Sequence, residues 1–253
     1  MRMRKKPNLL PRMQRASAVL VAEPEKYRGR WLEAAPGFDE LHVELGCGKG
    51  RFTAGTAERE KNALLVAVER VPDAMVVGME RVVDMGLENV RFIDRDVMLI
   101  PEIFADGECD RIYINFCDPW PKSRDAKRRL TAPDFLRMYA SALRDGGEIH
   151  FKTDNRPLFD WSVEQFSSEL WQLSEVTNDL HENGVVGVMT DYEAKFHAEG
   201  IKINRLVARK TQETRTSALG SAGRLRNSSL TDARGYLESV AANEKNKAEE
   251  KAQ

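Results

Sequence analysis

Four acidic residues, Glu44, Glu69, Asp96 and Asp118, are spaced along the chain so that each closes or follows a short apolar run. Such runs are typical of buried parallel strands, and the carboxyl ends of neighbouring parallel strands open on one crevice. There, carboxylates can accept hydrogen bonds from ribose hydroxyls or an adenine amino group, or attract a cationic ligand. Glu69 or Asp96 alone would be typical of a solvated loop. Together, at the ends of consecutive strands, these two acids favour an adenosyl ligand.

A glycine-rich turn, ELGCGKG, spans Glu44–Gly50 between a predicted strand and a predicted helix. Its glycines, Gly46, Gly48 and Gly50, allow the backbone to approach a ligand closely. Dinucleotide sites favour GxGxxG. The GxGxG spacing, with an acid two residues before it, instead indicates S-adenosylmethionine, whose cationic end Glu44 would face. A strand–helix turn without a ligand is the alternative.

A third segment, FCDPWPKSRDAKRRL, covers residues 116–130. Pro119 and Pro121 restrict the backbone and would hold Asp118 and Trp120 in defined directions. Five cations follow directly: Lys122, Arg124, Lys127, Arg128 and Arg129. They could bind the phosphates of a polyanion whose base enters the crevice. A solvated helix start with Trp120 in the core is the alternative.

The elements that must position these residues alternate from about residue 41. We predict strands at 41–45, 63–68, 90–93, 111–116, 148–152, 173–177 and 203–208, with helices at about 50–60, 73–85 and 158–170. A further helix is predicted from a capping box at Thr131 and Asp134 to Gly146-Gly147. The pattern predicts an α/β fold, with a doubly wound, mostly parallel sheet of about seven strands and helices on both faces.

The chain ends differ from this central part. We predict a basic, partly mobile extension over residues 1–40, a catalytic domain over 41–210 and a disordered tail over 211–253, with a possible short helix at 230–243. The first fifteen residues carry cations and no acid, which fits either a solvated terminus or a phosphate-contacting arm.

Composition excludes several classes of protein. The 253 residues carry a formal net charge of -1, so the chain is not uniformly basic. Its three cysteines have no metal-site or disulfide pattern, and no apolar window is long enough to span a membrane. We therefore expect a cytoplasmic protein without a metal. Composition does not distinguish a monomer from a homodimer, and both stay open.

These motifs together resemble the bacterial tRNA (guanine-N7-)-methyltransferase family, which has the Rossmann-like class I methyltransferase fold. The resemblance runs from about Leu41 to Lys210 and rests on ELGCGKG, Glu69, Asp96, CDPWPK, the KTD of 152–154 and the TDYE of 190–193. Cys117 stands where the family usually has proline, and Asp125-Ala126 interrupt a stretch that is usually more basic.

The resemblance implies roles for individual residues. Glu44, Glu69, Asp96 and Asp118 would bind S-adenosylmethionine, and Asp118 would also be the active-site acid. The guanine side would be lined by Lys122, Asp154, Thr190, Asp191, Tyr192 and Glu193. RNA would be contacted by Arg124, Lys127, Arg128 and Arg129, and the target would be guanine 46 of the tRNA variable loop.

The chemistry itself requires little of the protein. Guanine N7 carries a free in-plane lone pair, so alignment and electrostatics suffice, without a nucleophilic cysteine or a metal. Carboxylates such as Asp118, Asp154 or Glu193 would match the donors of the Watson–Crick edge, and Trp120 or Tyr192 could stack on an unstacked base. We assign no role to His42, His150, His181 or His197. A methyltransferase for another RNA or a small molecule and a non-catalytic RNA-binding protein are the alternatives.

Overall fold

The computed structural model describes residues 7–216, and these form one seven-stranded sheet in the order β3-β2-β1-β4-β5-β7-β6. Neighbouring strands from β3 to β5 are parallel, and β7 runs antiparallel to both β5 and β6. The predicted sheet is therefore confirmed. The strands are β1 Glu40–Leu45, β2 Ala63–Val68, β3 Val90–Ile93, β4 Cys109–Asn115, β5 Leu143–Thr153, β6 Gln172–Thr177 and β7 Asn204–Arg209.

Helices cover both faces of the sheet, and an apolar core lies on each. On one face, α3 and α4 pack over β2 and β3; on the other, α5, α6 and α7 pack over the central strands. The helices are α1 Leu9–Arg15, α2 Trp31–Ala34, α3 Arg51–Arg59, α4 Pro72–Asp84, α5 Ile100–Ile103, α6 Pro133–Ala142, α7 Arg156–Ser168 and α8 Asp191–Ala198.

The predicted helix end at Gly146-Gly147 is wrong. α6 ends at Ala142, and β5 begins at once with Leu143, so both glycines lie inside the strand. Gly147 is required there, since a Cβ would stand 2.9 Å from the Arg144 carbonyl oxygen. The predicted capping box is also wrong. Thr131 is buried and shares a hydrogen bond with Ser162, and α6 starts after Ala132 without a side-chain cap.

The described part of the N-terminal region packs against the domain. Arg12 of α1 donates from Nε to a Glu80 oxygen on α4 at 2.7 Å, so this cation of the basic run is engaged with the protein. Val21 donates its backbone N–H to Phe92 of β3 at 2.9 Å. The predictions for residues 1–6 and for the tail from 217 onward lie outside the described residues, and the predicted division into domains remains a prediction. Within 7–216 no helix is long and apolar enough to cross a bilayer.

The middle of the sheet is polar on the face that carries α3. Central parallel strands are normally apolar on both faces. Here the residues that alternate toward α3 are His42 and Glu44 on β1, Tyr113 and Asn115 on β4, and His150 and Lys152 on β5. Buried polar groups need partners, so this face supports a hydrogen-bonded network beneath the functional edge of the sheet.

Candidate active site

The glycine-rich turn leaves β1 and forms a backbone cradle at the carboxyl edge of the sheet. Gly46, Gly48 and Gly50 all have positive φ, at 76°, 56° and 67°. Among the described residues, nothing lies within 4 Å of the position that a Cβ would take at Gly46 or Gly48, whereas at Gly50 it would meet the backbone of Gly78 in α4. The first two glycines therefore border open space, and the third allows the loop to contact a helix.

Glu69, at the end of β2, is tied to this cradle. Its carboxylate accepts the N–H of Gly48 at 2.9 Å and, through its other oxygen, the N–H of Val71 at 2.9 Å. Burial raises the pKa of Glu69, and the two backbone N–H groups act in the opposite direction. Each oxygen keeps a further lone pair for a ligand hydroxyl, which is the geometry expected of a ribose acceptor.

Glu44 lies below the cradle and is buried. It accepts hydrogen bonds from the Thr53 hydroxyl at 2.5 Å and from the Asn115 amide at 3.2 Å, and its side chain faces α3. Burial raises its pKa, and these two hydrogen bonds and Lys152 oppose that shift. In this position Glu44 fixes the start of α3 and contributes negative charge beneath the loop.

Asp96 follows β3 and caps a short 3-10 helix, Val97–Leu99, by accepting the Met98 N–H at 3.0 Å. Arg70, which follows Glu69, reaches its carboxylate at 3.6 Å. The hydroxyl of Tyr139 is buried without a hydrogen-bond partner in the described region. Burial raises its pKa, and the nearby Cys117 and Asp96 raise it further. Residues that follow β3 and β4, Asp96 and Cys117, therefore both act electrostatically on this hydroxyl.

Asp118 stands on the exposed turn that follows β4. Phe116 turns the chain with φ at 53°, and Trp120 is also left-handed, with φ at 40°. Non-glycine residues rarely adopt this conformation, so the surrounding contacts must hold it. Asp118 itself is solvent-exposed between these two fixed points. Its neighbour Cys117 is partly buried, and burial raises the pKa of its thiol to about 12, which leaves it protonated.

Two of the five cations, Arg128 and Arg129, contact the turn that carries Asp118. Arg129 donates to the carbonyl oxygens of Pro119 at 3.1 Å and Trp120 at 3.0 Å, and its guanidinium lies 4.4 Å from the ring centre of Trp161. Arg128 stacks on the Trp120 ring at 3.7 Å. Lys122, Arg124 and Lys127 are exposed, the first just before and the other two within a 3-10 helix, Ser123–Arg128. Of the predicted RNA contacts, Arg124 and Lys127 are therefore exposed, Arg128 is exposed but stacked on Trp120, and Arg129 is turned toward the protein.

On the guanine side, Asp154 is exposed directly after β5. Aromatic rings join the β4 turn to α8, since Phe116 lies 6.1 Å from Phe196 and Tyr192 lies 6.2 Å from the same ring. Tyr192 is 56% exposed. Asp118, Asp154 and the start of α8 thus border the same part of the sheet edge.

The TDYE segment begins α8 with a complete capping box. Thr190 Oγ1 accepts the Glu193 N–H at 2.9 Å, and the Glu193 carboxylate accepts the Thr190 N–H at 3.1 Å. This helix is absent from our sequence prediction, although a threonine followed three residues later by a glutamate is a recognised signal for a helix start. Asp191 faces Arg51 and Arg81, each at 3.9 Å.

Glu193 is fully buried, unlike the other predicted substrate residues. Its carboxylate also accepts Lys152 Nζ at 2.7 Å and His181 Nε2 at 3.1 Å. His181, to which the sequence analysis gave no role, accepts the Val186 N–H on Nδ1 at 3.2 Å. Its partners, Val186 and Glu193, lie 5 and 12 residues along the chain, and no motif connects these positions, so spacing alone does not identify it.

Comparison with known proteins identifies the family. A family model described as "Putative methyltransferase" matches residues 39–206. The chain is 40% identical over 210 residues to a curated tRNA (guanine-N(7)-)-methyltransferase from Listeria welshimeri, covering 83% of this chain and 98% of that one. A relative of the same name from Geobacillus kaustophilus is 40% identical over 209 residues, covering 82% and 96%.

The chain belongs to the tRNA (guanine-N(7)-)-methyltransferase family. Solved structures agree on the fold. The 16S rRNA methyltransferase KamB superposes with a TM-score of 0.54 at 16% identity, covering 69% of this chain and 88% of that one. An antibiotic-related methyltransferase gives a TM-score of 0.52 at 19% identity, covering 69% and 89%. The class I methyltransferase fold is therefore confirmed.

The cradle fits S-adenosylmethionine, the methyl donor of this family. Open space beside Gly46 and Gly48 admits the ligand at the backbone, and the Glu69 carboxylate lies at the next strand end for the ribose. The Tyr139 hydroxyl, which has no hydrogen-bond partner in the part of the chain that the structure describes, offers a polar group on the side of Asp96, where the adenine would lie. No group of three or more His, Cys, Asp or Glu residues suited to a metal occurs among residues 7–216.

Proposed function

We propose that the chain transfers the methyl group of S-adenosylmethionine to N7 of a guanine in tRNA. The observation that supports this most directly is the position of Asp118. It follows β4, next to the glycine cradle of β1 on one side and to β5 and its Asp154 on the other. A donor and an acceptor bound on these two sides would meet at this carboxylate.

In this reaction the donor supplies an electrophilic methyl group on a sulfonium. The protein has to align that group with N7 and to stabilise the charge that appears on the purine. As N7 gains the methyl group, N1–H and the 2-amino group of guanine become stronger donors. The exposed carboxylates of Asp118 and Asp154 are suited to accept those hydrogen bonds and leave N7 free. The base pocket would also include Lys122, Thr190, Asp191 and Tyr192.

The exposed cations support tRNA as the acceptor. Lys122, Arg124 and Lys127 point to solvent beside Asp118, where they can contact phosphates around an extruded base. Tyr192 offers an exposed ring for stacking at the same edge. The curated relatives are named for tRNA, which supports the same class of acceptor here. From the family resemblance of the motifs, we further propose a variable-loop guanine as the target and the cytoplasm as the site of action.

Nucleoside analysis after incubation with the methyl donor tests the proposal. Transfer RNA lacking modifications should gain 7-methylguanosine, while ribosomal RNA and free guanosine should not. Equal labelling of free guanosine would favour a small-molecule methyltransferase. Donor and tRNA binding without any methylated product would favour a non-catalytic RNA-binding protein.

A further inference from the structure

Glu193 is the one predicted substrate residue on α8 whose side chain is sealed from solvent. The exposed fraction of Glu193 is 0%, while Tyr192, one residue before it, is 56% exposed. Its carboxylate already receives Lys152 Nζ, His181 Nε2 and the Thr190 N–H. A group in this position can reach a guanine only after the start of α8 is dismantled.

The partners of Glu193 come from separate parts of the fold. Lys152 lies near the end of β5 and also donates to the Val188 carbonyl oxygen at 3.1 Å, with its ammonium 4.9 Å from the Phe52 ring centre on α3. His181 comes from the loop after β6. Because His181 Nδ1 accepts the Val186 N–H, its proton is on Nε2, which therefore donates to Glu193.

The same loop rests directly on the helix that follows the donor cradle. A Cβ at Gly55 of α3 would stand 2.7 Å from Val188 Cγ1, so the loop packs where α3 has no side chain. A glycine inside a helix lowers stability by about 1 kcal/mol relative to alanine. The close approach of Val188 explains why α3 nevertheless has a glycine at this position. The loop, α3 and β5 together surround the Glu193 carboxylate and set the position of Thr190–Tyr192.

We propose that Glu193 does not contact guanine and that Lys152 and His181 are positioning residues, which act through Glu193 to hold the start of α8 beside Asp118. This inference rests on the proposed methyl transfer to tRNA. Asp191 and Tyr192 would then be the residues of this segment that face substrate. Removal of either partner leaves a buried carboxylate with an unfilled acceptor, and the start of α8 would shift to satisfy it.

A set of substitutions tests the coupling. His181→Phe keeps an aromatic side chain but removes both hydrogen bonds, and Glu193→Gln removes the charge. We expect each to lower kcat by about 100-fold, as for a misplacement of about 1 Å, with the KM for S-adenosylmethionine unchanged. The double variant should be no slower than the slower single variant. His181→Gln, which keeps a donor toward Glu193, should recover most of kcat. Lys195→Met, on the exposed side of α8, should match the parent.

The outcomes separate the two roles of Glu193. Parent kcat in His181→Phe together with a large loss in Glu193→Gln would overturn the proposal, because Glu193 would then act on substrate by itself. Multiplicative losses in the double variant would overturn it as well. If His181→Phe does not fold, Lys152→Gln takes its place with the same expectations.

Amide hydrogen exchange tests the positioning role of Lys152 and His181 without measuring methyl transfer. Amides of 186–194 should exchange faster in His181→Phe and Glu193→Gln than in the parent, while those of α4 should not change. Unchanged exchange across 186–194 would contradict the positioning role. A parent protein that forms no 7-methylguanosine would instead refute the proposed function, and the exchange result would still decide whether the network holds α8.

Discussion

Gly50 and Gly78 bring the donor cradle and α4 into direct backbone contact: a Cβ on Gly50 would stand 2.7 Å from Gly78 Cα. Gly50 also has a φ of 67°, so its lack of a side chain serves both the turn and the contact. Gly46, four residues earlier, has a φ of 76° but borders open space. Two glycines of one motif are thus required for different physical reasons.

This difference predicts distinct effects of alanine. Gly46→Ala should cost about 1 kcal/mol of stability from the left-handed backbone and weaken S-adenosylmethionine binding, because the methyl group enters the ligand space. Gly50→Ala should cost more, about 3 kcal/mol, since the overlap adds to the same strain. Denaturant unfolding and donor binding by calorimetry measure both. Equal losses of stability in the two variants would disprove the assigned contact.

The basic cluster predicts a division between exposed and engaged cations. Lys127→Ala should weaken tRNA binding and reduce the slope of log affinity against log salt by about 1, with kcat and thermal stability unchanged.

Arg129→Ala removes the hydrogen bonds to Pro119 and Trp120, and should lower stability by about 2 kcal/mol and slow methyl transfer even at saturating tRNA.

Arg129→Lys is the matched variant for this site. It keeps the charge but cannot reproduce the planar fork that contacts two carbonyl oxygens and the Trp161 ring. We expect it to behave more like Arg129→Ala than like the parent. Full activity and stability in Arg129→Lys would show that only the charge of Arg129 matters.

The burial of Asp94 predicts that the protein loses stability as pH rises through the titration of this carboxyl. Burial raises its pKa to about 6, with Arg95 lowering it and Glu69 raising it, and one carboxylate oxygen lacks a hydrogen-bond partner within residues 7–216. In an unfolded chain an aspartate has a pKa of about 3.9, so the folded state binds more protons between these values. The contribution of Asp94 to stability therefore falls as pH rises from about 4 to about 6, and stays low above that.

Asp94→Asn should remove this penalty. At pH 7.5 the variant should be more stable than the parent by on the order of 2–3 kcal/mol, and at pH 4 the difference should nearly vanish. Urea unfolding at the two pH values provides the measurement. Asp84→Asn, on the exposed end of α4, should match the parent at both. A gain that is independent of pH would rule out the titration of Asp94 as the cause.

The position of Asp118 predicts that its substitution removes turnover but leaves the fold intact. Because it is exposed on a turn that other residues hold, Asp118→Ala should leave the melting temperature near that of the parent. Single-turnover methyl transfer should fall by at least about 100-fold, the usual effect of removing one group that stabilises transition-state charge. Near-normal transfer in this variant would remove Asp118 from the mechanism.

Much of the fold was predictable because the strands are short apolar runs between turn signals. β2 and β3 were predicted to the residue, and the order of acids along the chain indicated their common edge. The prediction failed at Gly146-Gly147, where a pair of glycines that commonly ends a helix instead lies inside β5. Local signals cannot distinguish these uses, since the deciding contact is with Arg144 and Asp110 in the folded chain.

The site was predictable only in its residue types. Motifs predicted which acids and cations line the site, but not that Glu193 is buried or that Arg129 faces inward. Those outcomes depend on partners from other elements, such as Lys152 on β5 and His181 in the loop after β6, which no sequence motif connects with Glu193. The roles of the individual site residues stay predictions.

The central claim is that the carboxylates at the strand ends bring a bound methyl donor against a guanine of tRNA. Mass spectrometry of the nucleosides and of the nuclease-generated oligonucleotides from unmodified tRNA, incubated with the full chain and isotopically labelled S-adenosylmethionine, tests it most directly. We predict labelled 7-methylguanosine at a single variable-loop guanine, and none with Asp118→Ala. Label in any other nucleoside, or no label in tRNA despite bound donor, would contradict the claim.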